Sequence, residues 1–132
     1  MNGLISGGGI IFVREQWHEG EGWYRLWSNG FCEQGGYTCD KGGSFKKNCS
    51  YVNLYQCKIT LHKNFINSDY DVFVAAESSF ASGGGICGYD YVVPSSQTNS
   101  SFNAICCRFT QSGMPTNAHY RRQYWEAKGF IS

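Results

Sequence analysis

GWYRLWSNGFCEQGGY, residues 22–37, is the stretch that decides the fold, because it sets two aromatic-rich runs on either side of Ser28-Asn29-Gly30. An Asn-Gly pair in this setting predicts a β-hairpin, since both residues tolerate a positive φ and a two-residue turn of this kind matches strand twist. Helix is disfavoured, because three glycines would weaken it and no apolar stripe at helical spacing is present. We expect the aromatic side chains of this ribbon in the apolar interior: Trp23, Tyr24, Trp27 and Phe31.

The composition of the 132-residue chain indicates one β-rich domain with many turns. Charged residues make up 16%, below the roughly 25% of typical soluble domains, whereas aromatic residues reach 17% and there are 17 glycines. A formal net charge of +1 gives no electrostatic preference for nucleic acid or an anionic membrane. No stretch approaches the roughly 20 apolar residues of a membrane span. We therefore expect neither nucleic-acid binding nor membrane insertion.

Runs rich in β-branched and aromatic residues recur along the chain with turn signals between them. The clearest alternates, with Cys57, Ile59 and Leu61 predicted to point inward and Lys58 and Thr60 outward. About seven or eight short strands without a convincing amphipathic helix predict an antiparallel β-sandwich. The predicted strands are 10–14, 23–27, 31–35, 51–61, 70–76, 85–93, 102–110 and 121–131. We expect residues 1–15 to form a flexible lead-in and first strand, 16–132 to form the domain, and 40–50, 94–99 and 111–119 to be loops.

The seven cysteines do not form a metal-binding pattern. No C-x-x-C pair is present and the three histidines show no ligand spacing, so we predict no zinc site and no cofactor. An odd count leaves at least one thiol without an intrachain partner. Because free cysteine is among the most buried residue types, we expect most of the thiols to be small apolar core residues.

Enzymatic chemistry finds little support in the sequence, and we predict no catalytic residue. Gly83, Gly85 and Gly88 fit G-x-G-x-x-G but lead into a predicted strand, where a dinucleotide site needs a helix. No Gly-x-Ser-x-Gly elbow occurs. Glu33 and Glu126, the acids embedded in aromatic strands, are interpreted as structural hydrogen-bond acceptors and not as the carboxylate pair of a glycosidase.

Three blocks in order resemble the C-terminal tail-fibre domains of tailed bacteriophages and gut prophages. WYRLWSNGFCEQGG at 23–36 is similar to their signature, ITLHKNFINSDYDV at 59–72 to a middle strand pattern, and YWEAKGFI at 124–131 to their closing strand. The resemblance implies a β-sandwich knob at the distal end of a virion tail fibre, a homotrimer that touches the host cell surface. It also implies assembly in the reducing bacterial cytoplasm, where buried free thiols are ordinary.

The resemblance further implies a division between scaffold and recognition loops. The signature residues are expected to hold the sandwich together: Trp23, Arg25, Trp27, Glu33 and Trp125. A tight turn is expected to bring Arg25 and Glu33 near each other. Tyrosines at loop edges among Gly, Ser and Asn are typical of recognition surfaces, with plain surface exposure as the alternative. The candidate receptor-binding residues are Tyr89, Asp90, Tyr91, His119, Tyr120 and Arg121.

We thus expect a non-enzymatic adhesin that binds a bacterial surface glycan or protein. Two alternatives stay open. A structural cap that trimerises a fibre would need no receptor site. A fragment of a polysaccharide depolymerase would need two close carboxylates in a groove.

Overall fold

A computed structural model describes residues 3–6, 9–38, 44–49, 52–76, 87–109 and 123–132, and all of its regular elements there are β-strands. Within these residues no helix is long and apolar enough to span a membrane. The ten described strands are β1 (Gly3–Ser6), β2 (Gly9–Glu19), β3 (Gly22–Trp27), β4 (Phe31–Thr38), β5 (Ser44–Cys49), β6 (Val52–Thr60), β7 (Asp71–Ala76), β8 (Cys87–Val92), β9 (Ser101–Phe109) and β10 (Gln123–Phe130).

The strands form two sheets in which every neighbouring pair is antiparallel. One sheet has six strands in the order β1-β2-β3-β4-β10-β7, and the other has four in the order β5-β6-β9-β8. The chain therefore forms the all-β sandwich that its sequence predicts. The closing strand β10 lies between β4 and β7, so the aromatic ribbon and the C-terminal end of the chain are direct neighbours.

The β3–β4 hairpin forms as predicted, but its turn differs from the expected one. Three residues, Ser28, Asn29 and Gly30, separate the strands, and only Gly30 among them has a positive φ, of 89°. The N–H of Gly30 donates to Trp27 O at 3.0 Å, and the side-chain oxygen of Asn29 accepts from Phe31 N–H at 3.0 Å. The asparagine thus stabilises the loop through its side chain, and glycine supplies the left-handed residue of a three-residue hairpin loop.

The core lies between the two sheets. The six-stranded sheet contributes Leu26, Cys32, Trp125 and Ala127, the four-stranded sheet contributes Ile59, Phe102 and Ala104, and the segment between β6 and β7 adds Leu61, Phe65 and Tyr70. The predicted alternation of β6 is confirmed, because Cys57 and Ile59 are buried while Lys58 and Thr60 are exposed. Cys32 and Cys57 are buried and form no disulfide, as expected for this chain.

The expectation of a fully interior aromatic ribbon is wrong. Trp23, Trp27 and Phe31 are only half-buried, and the side chains that β3 and β4 bury are Leu26, Cys32 and Gln34. Successive residues of a strand face opposite sides, so one face of the ribbon enters the core while the other carries the indoles to the outer surface. Two phenylalanines of this sheet also lie on its outer face, Phe73 with 57% and Phe130 with 45% of their surface exposed.

Two strands occur in segments that are not expected to pair. β1 pairs with β2 inside the segment assigned to a flexible lead-in, and β2 continues through residue 15 without a break, so the domain includes both strands. β5 pairs with β6 inside the stretch 40–50 that was expected to be a loop. The count therefore rises from the predicted seven or eight to ten in the described residues.

Candidate functional site

The side chain of Gln34 ties the six-stranded sheet to the segment that follows β6. It is completely buried, its Oε1 accepts from the N–H groups of His62 and Lys63 at 2.7 and 3.0 Å, and its Nε2 donates to Lys63 O at 2.8 Å. The ring nitrogen Nε2 of His62 lies 3.0 Å from Gly35 O. Since a carbonyl oxygen only accepts, Nε2 of His62 is the protonated nitrogen. These contacts fix the imidazole relative to β4.

The imidazole of His62 is part of a continuous series of aromatic rings. Tyr24 stacks on Trp17 with centroids 5.5 Å apart, Trp17 meets His62 at 5.0 Å, and His62 stacks on Trp125 at 5.4 Å. Trp125 in turn meets the buried ring of Phe102 edge-on at 5.8 Å. Ring pairs at these separations attract each other beyond their buried area. The series therefore runs from a half-exposed end at Tyr24 and Trp17 into the core.

A cleft with a volume of about 460 Å³ opens along this aromatic series. That volume lies within the range of roughly 300–1,000 Å³ that is typical of small-molecule sites. The aromatic part of its wall is formed by Trp17, His62 and Trp125, with Tyr37 at the rim. Polar groups come from the end of β2, the β2–β3 turn and β6, namely Glu19, Glu21, Lys58 and Thr60. All four of these polar residues are exposed, so the cleft combines a fixed aromatic wall with a solvated polar rim.

Two glycines let the rings of the cleft wall pack closely against the backbone. A Cβ added at Gly22 would lie 2.9 Å from Cε1 of His62 and 3.3 Å from the Trp17 ring. A Cβ added at Gly36 would lie 3.3 Å from Nε1 of Trp125. Any other residue at these two positions would therefore crowd the aromatic wall.

One end of the aromatic series holds an ion pair that is partly exposed to solvent. The Tyr24 hydroxyl donates to Glu15 Oε1, and the ammonium group of Lys63 lies 3.6 Å from the same oxygen and 4.8 Å above the Tyr24 ring. The hydrogen bond from Tyr24, helped by the attraction of Lys63, lowers the pKa of Glu15, and the same hydrogen bond raises the pKa of Tyr24. Carboxylate and ring together thus hold a cation here.

The outer face of the six-stranded sheet carries the signature residues in a different arrangement. Glu33 lies directly opposite Arg25, and its carboxylate accepts from Trp27 Nε1 at 3.0 Å. Arg25 and Lys128 each approach that carboxylate to 3.9 Å. The hairpin therefore brings Arg25 and Glu33 together on the surface of the sandwich and not in its interior.

The predicted receptor-binding residues do not lie at the cleft where the structure describes them. Asp90 accepts from the buried Nε2 of Gln123 at 3.0 Å, which indicates a structural contact, and Tyr91 is exposed on β8. Neither belongs to the cleft wall. The side chain of Tyr89 and the whole of His119, Tyr120 and Arg121 lie outside the described residues.

Of the predicted scaffold residues, only Trp125 reaches the cleft; Trp23, Arg25, Trp27 and Glu33 are on the opposite face of the sheet. The sequence reasoning missed Trp17, Glu19 and His62. One signal was present, since Glu15, Trp17 and Glu19 are two residues apart and must share one face of a strand. His62 carried no comparable signal, because its place depends on the buried contacts of Gln34.

The described residues include no group of three or more His, Cys, Asp or Glu side chains that could hold a metal ion. No family model matches the chain, and neither the curated proteins nor the solved structures include a match.

Proposed function

We propose that the chain is a non-enzymatic adhesin, the receptor-binding tip of a phage or prophage tail fibre, and that it binds a bacterial surface glycan in the aromatic cleft. The observation that carries the glycan part is the wall formed by Trp17, His62 and Trp125 beside solvated carboxylates. Ring faces give a sugar a flat apolar surface, and the polar rim gives its hydroxyls hydrogen-bond partners.

The exposed position of the acids favours binding over hydrolysis. A glycosidase acid works in a water-excluded pocket that keeps it protonated. Glu19 at the end of β2 and Glu21 in the β2–β3 turn are both exposed. Their placement suits hydrogen bonds to sugar hydroxyls, so a depolymerase fragment is the weaker candidate.

The placement at a virion tail-fibre tip rests on the resemblance of the three sequence blocks, and the sandwich is of the kind that the resemblance implies. Assembly as a homotrimer would present three clefts on one fibre. Linked weak sites raise avidity without any single tight site, which suits attachment to a repetitive polysaccharide.

The test is adsorption of the fluorescently labelled chain to a panel of bacterial species of known surface polysaccharide. We expect binding to at least one species, competition by its purified polysaccharide, and loss on Trp17→Ala. Trp27→Ala, on the outer face, is the matched control and should bind as the parent chain does. Gly22→Ala is a second variant, which keeps every ring but would place a methyl group 2.9 Å from Cε1 of His62 and so displace the aromatic wall. It should also weaken adsorption.

If the Trp17→Ala and Gly22→Ala variants both still adsorb to the cells, the cleft is not the receptor-binding site. Release of oligosaccharide from the polysaccharide during the same incubation would favour the depolymerase.

A structural trimer cap is a second candidate, favoured by the outer face of the six-stranded sheet. Phe73 and Phe130 are about half exposed there, and such apolar surface often marks an interface. A trimeric solution mass together with no adsorption to any species would support the cap and contradict the adhesin.

A further inference from the structure

We propose that a narrow recess beside Gly36 in the cleft binds the free 6-hydroxyl of a hexopyranose unit, so that the cleft selects hexoses over 6-deoxy sugars. This inference rests on the proposed glycan-binding function and specifies its ligand. The recess lies where β4 and β10 meet the β2–β3 turn and the start of β3. The residues that form it all line the cleft: Glu21, Gly22, Gly36 and Trp125.

The recess has room for one further heavy atom beside the backbone of Gly36. A Cβ placed on this glycine would lie 3.3 Å from Trp125 Nε1, 3.4 Å from the carbonyl oxygen of Glu21 and 3.6 Å from Gly22 Cα. A carbon atom is slightly crowded at this point. An oxygen atom there is within a few tenths of an ångström of hydrogen-bond distance from both the indole nitrogen and the carbonyl oxygen.

The backbone conformation does not itself require a glycine at this position. The φ of Gly36 is not among the positive values of the described residues, so any residue can adopt it. Trp125 lies directly opposite Gly36 in the pairing of β10 with β4, and a side chain at residue 36 would fill the space next to the indole nitrogen. The glycine thus preserves the recess.

The indole of Trp125 supplies a buried donor to this recess. Only 3% of the Trp125 surface is exposed, yet among the residues that the structure describes none accepts a hydrogen bond from its Nε1. A buried indole N–H normally has an acceptor, and leaving it without one costs free energy. An acceptor that a ligand brings into the recess would remove this cost.

The carbonyl oxygen of Glu21 supplies an acceptor at the same point. A carbonyl oxygen has two lone pairs, so it can accept from a ligand in addition to any bond that it already makes. A hydroxyl group both accepts and donates, and it is therefore complementary to the indole N–H and the carbonyl together. A carboxylate or an acetamido oxygen only accepts and an ammonium group only donates, so neither satisfies both partners.

The narrowness of the recess favours an exocyclic hydroxyl group. A hydroxyl on the pyranose ring would draw its ring carbon in between Gly22 and Gly36. The 6-hydroxyl stands on one further carbon with a rotatable bond, so it can enter while the ring stays in the wider cleft of about 460 Å³. A 6-deoxy sugar carries only a methyl group there and would leave the indole N–H of Trp125 unsatisfied.

NMR titration of the ¹⁵N-labelled full chain tests this selection with three pairs of methyl glycosides. Each pair is the glycoside of glucose, galactose or mannose and its 6-deoxy counterpart, which lacks a single oxygen atom. We expect at least one hexoside to shift the indole N–H resonance of Trp125. Its 6-deoxy counterpart should bind at least about 10-fold more weakly, because the buried donor then stays unpaired.

Two variants locate the effect in the recess. Gly36→Ala fills the recess with a methyl group, keeps every ring of the wall, and should reduce the preference for the hexoside to less than about twofold. Trp125→Phe removes the N–H but keeps an aromatic ring, and it should have the same effect when binding is followed at the Trp17 resonance. Trp27→Phe removes an indole N–H on the outer face and is the matched control, with the preference unchanged. The comparison within the parent chain needs no variant, so it holds even where a variant fails to fold.

The outcomes separate this inference from the proposed function. If the hexosides and their 6-deoxy counterparts bind equally and shift both Trp17 and Trp125, the recess does not hold a sugar hydroxyl but the glycan adhesin stands. An unchanged preference in Gly36→Ala, or no shift of Trp125 with any of the six glycosides, would also overturn the inference. Adsorption to cells that is competed by polysaccharide and lost in Trp17→Ala would in either case still support the adhesin. If Trp17→Ala leaves adsorption unchanged, both proposals fail.

Discussion

Adjacent residues on β4 show how differently the two faces of the six-stranded sheet are built. Gln34 points inward, is fully buried and makes three hydrogen bonds to the backbone of His62 and Lys63. Glu33 points outward and meets Trp27, Arg25 and Lys128 near solvent. The inner face thus provides the stability and the cleft, whereas the outer face carries aromatic and charged groups that contribute little to folding.

The largest contrast should come from two phenylalanines on opposite sides of this division. Phe102 is fully buried, so Phe102→Ala should cost about 3–5 kcal/mol of the free energy of unfolding through lost burial and the cavity it leaves. Phe130 is nearly half exposed and contacts Phe31 edge-on at 5.4 Å, so Phe130→Ala should cost about 1 kcal/mol. Urea denaturation measures both, and equal losses would contradict the assignment of the two faces.

The next contrast is between the neighbours on β4. Gln34→Ala should cost about 3 kcal/mol, because it leaves two N–H groups and one carbonyl of the 62–63 backbone without their partner. Gln34→Glu keeps the shape but loses the donor, and it should also destabilise. Glu33→Gln keeps an acceptor for Trp27 and should cost less than about 1 kcal/mol, since its ion pairs are long and exposed. If a Gln34 variant is as stable as the Glu33→Gln variant, the hydrogen bonds of Gln34 do not contribute to the free energy of unfolding.

The buried thiol on the inner face predicts a loss of stability in alkali. Burial raises the pKa of Cys32 to about 11 from 9.0, so as the pH rises the unfolded chain loses this proton before the folded protein does. Its contribution is complete below pH 9 and decreases toward pH 11, at no more than about 1.4 kcal/mol per pH unit.

Urea denaturation at pH 8 and again at pH 10 measures this contribution. Tyr70 and Tyr124 of the folded protein stay protonated at pH 10, because burial raises the pKa of each to about 12 from 10.0. Any loss of stability that their ionisation in the unfolded chain begins to cause at this pH is common to the parent chain and the Cys32→Ala variant. Cys32→Ala should remove about 1 kcal/mol of the difference between the two pH values. A parent chain and a Cys32→Ala variant with the same pH dependence would place that thiol in contact with solvent.

The smallest effect is expected on the outer face. Arg25 is expected from the tail-fibre resemblance to hold the sandwich together, yet its side chain is 44% exposed and its contact with Glu33 is 3.9 Å long. Arg25→Ala should therefore lower the free energy of unfolding by less than about 0.5 kcal/mol. A loss of more than about 2 kcal/mol in thermal or urea unfolding would show that Arg25 does hold the sandwich together. It would also contradict the small contribution to stability that we expect from the outer face.

The sequence was sufficient for the fold class because the strand signals are local. Alternation from Cys57 to Leu61 and the aromatic arms around Asn29-Gly30 both predict strands that the structure contains. Alternation also defines two faces, but it does not say which one is buried when both carry aromatic residues. For that reason Trp23 and Trp27 were assigned to the core.

The cleft could not be predicted in the same way, because its wall joins residues far apart in the chain. Trp17, His62 and Trp125 come from β2, the segment after β6, and β10. Their meeting depends on a buried amide, Gln34, whose contacts lie 28 and 29 residues away. No local pattern carries that information, and composition alone indicates different residues as receptor contacts.

The four tryptophans allow the most direct test, because two line the cleft, Trp17 and Trp125, and two lie on the outer face, Trp23 and Trp27. The indole N–H resonances in a ¹⁵N–¹H NMR spectrum report on each separately during titration with an oligosaccharide of the polysaccharide that competes for adsorption. The cleft account predicts that the resonances of Trp17 and Trp125 shift while those of Trp23 and Trp27 stay in place. Shifts confined to Trp23 and Trp27 would place the ligand on the outer face and contradict it.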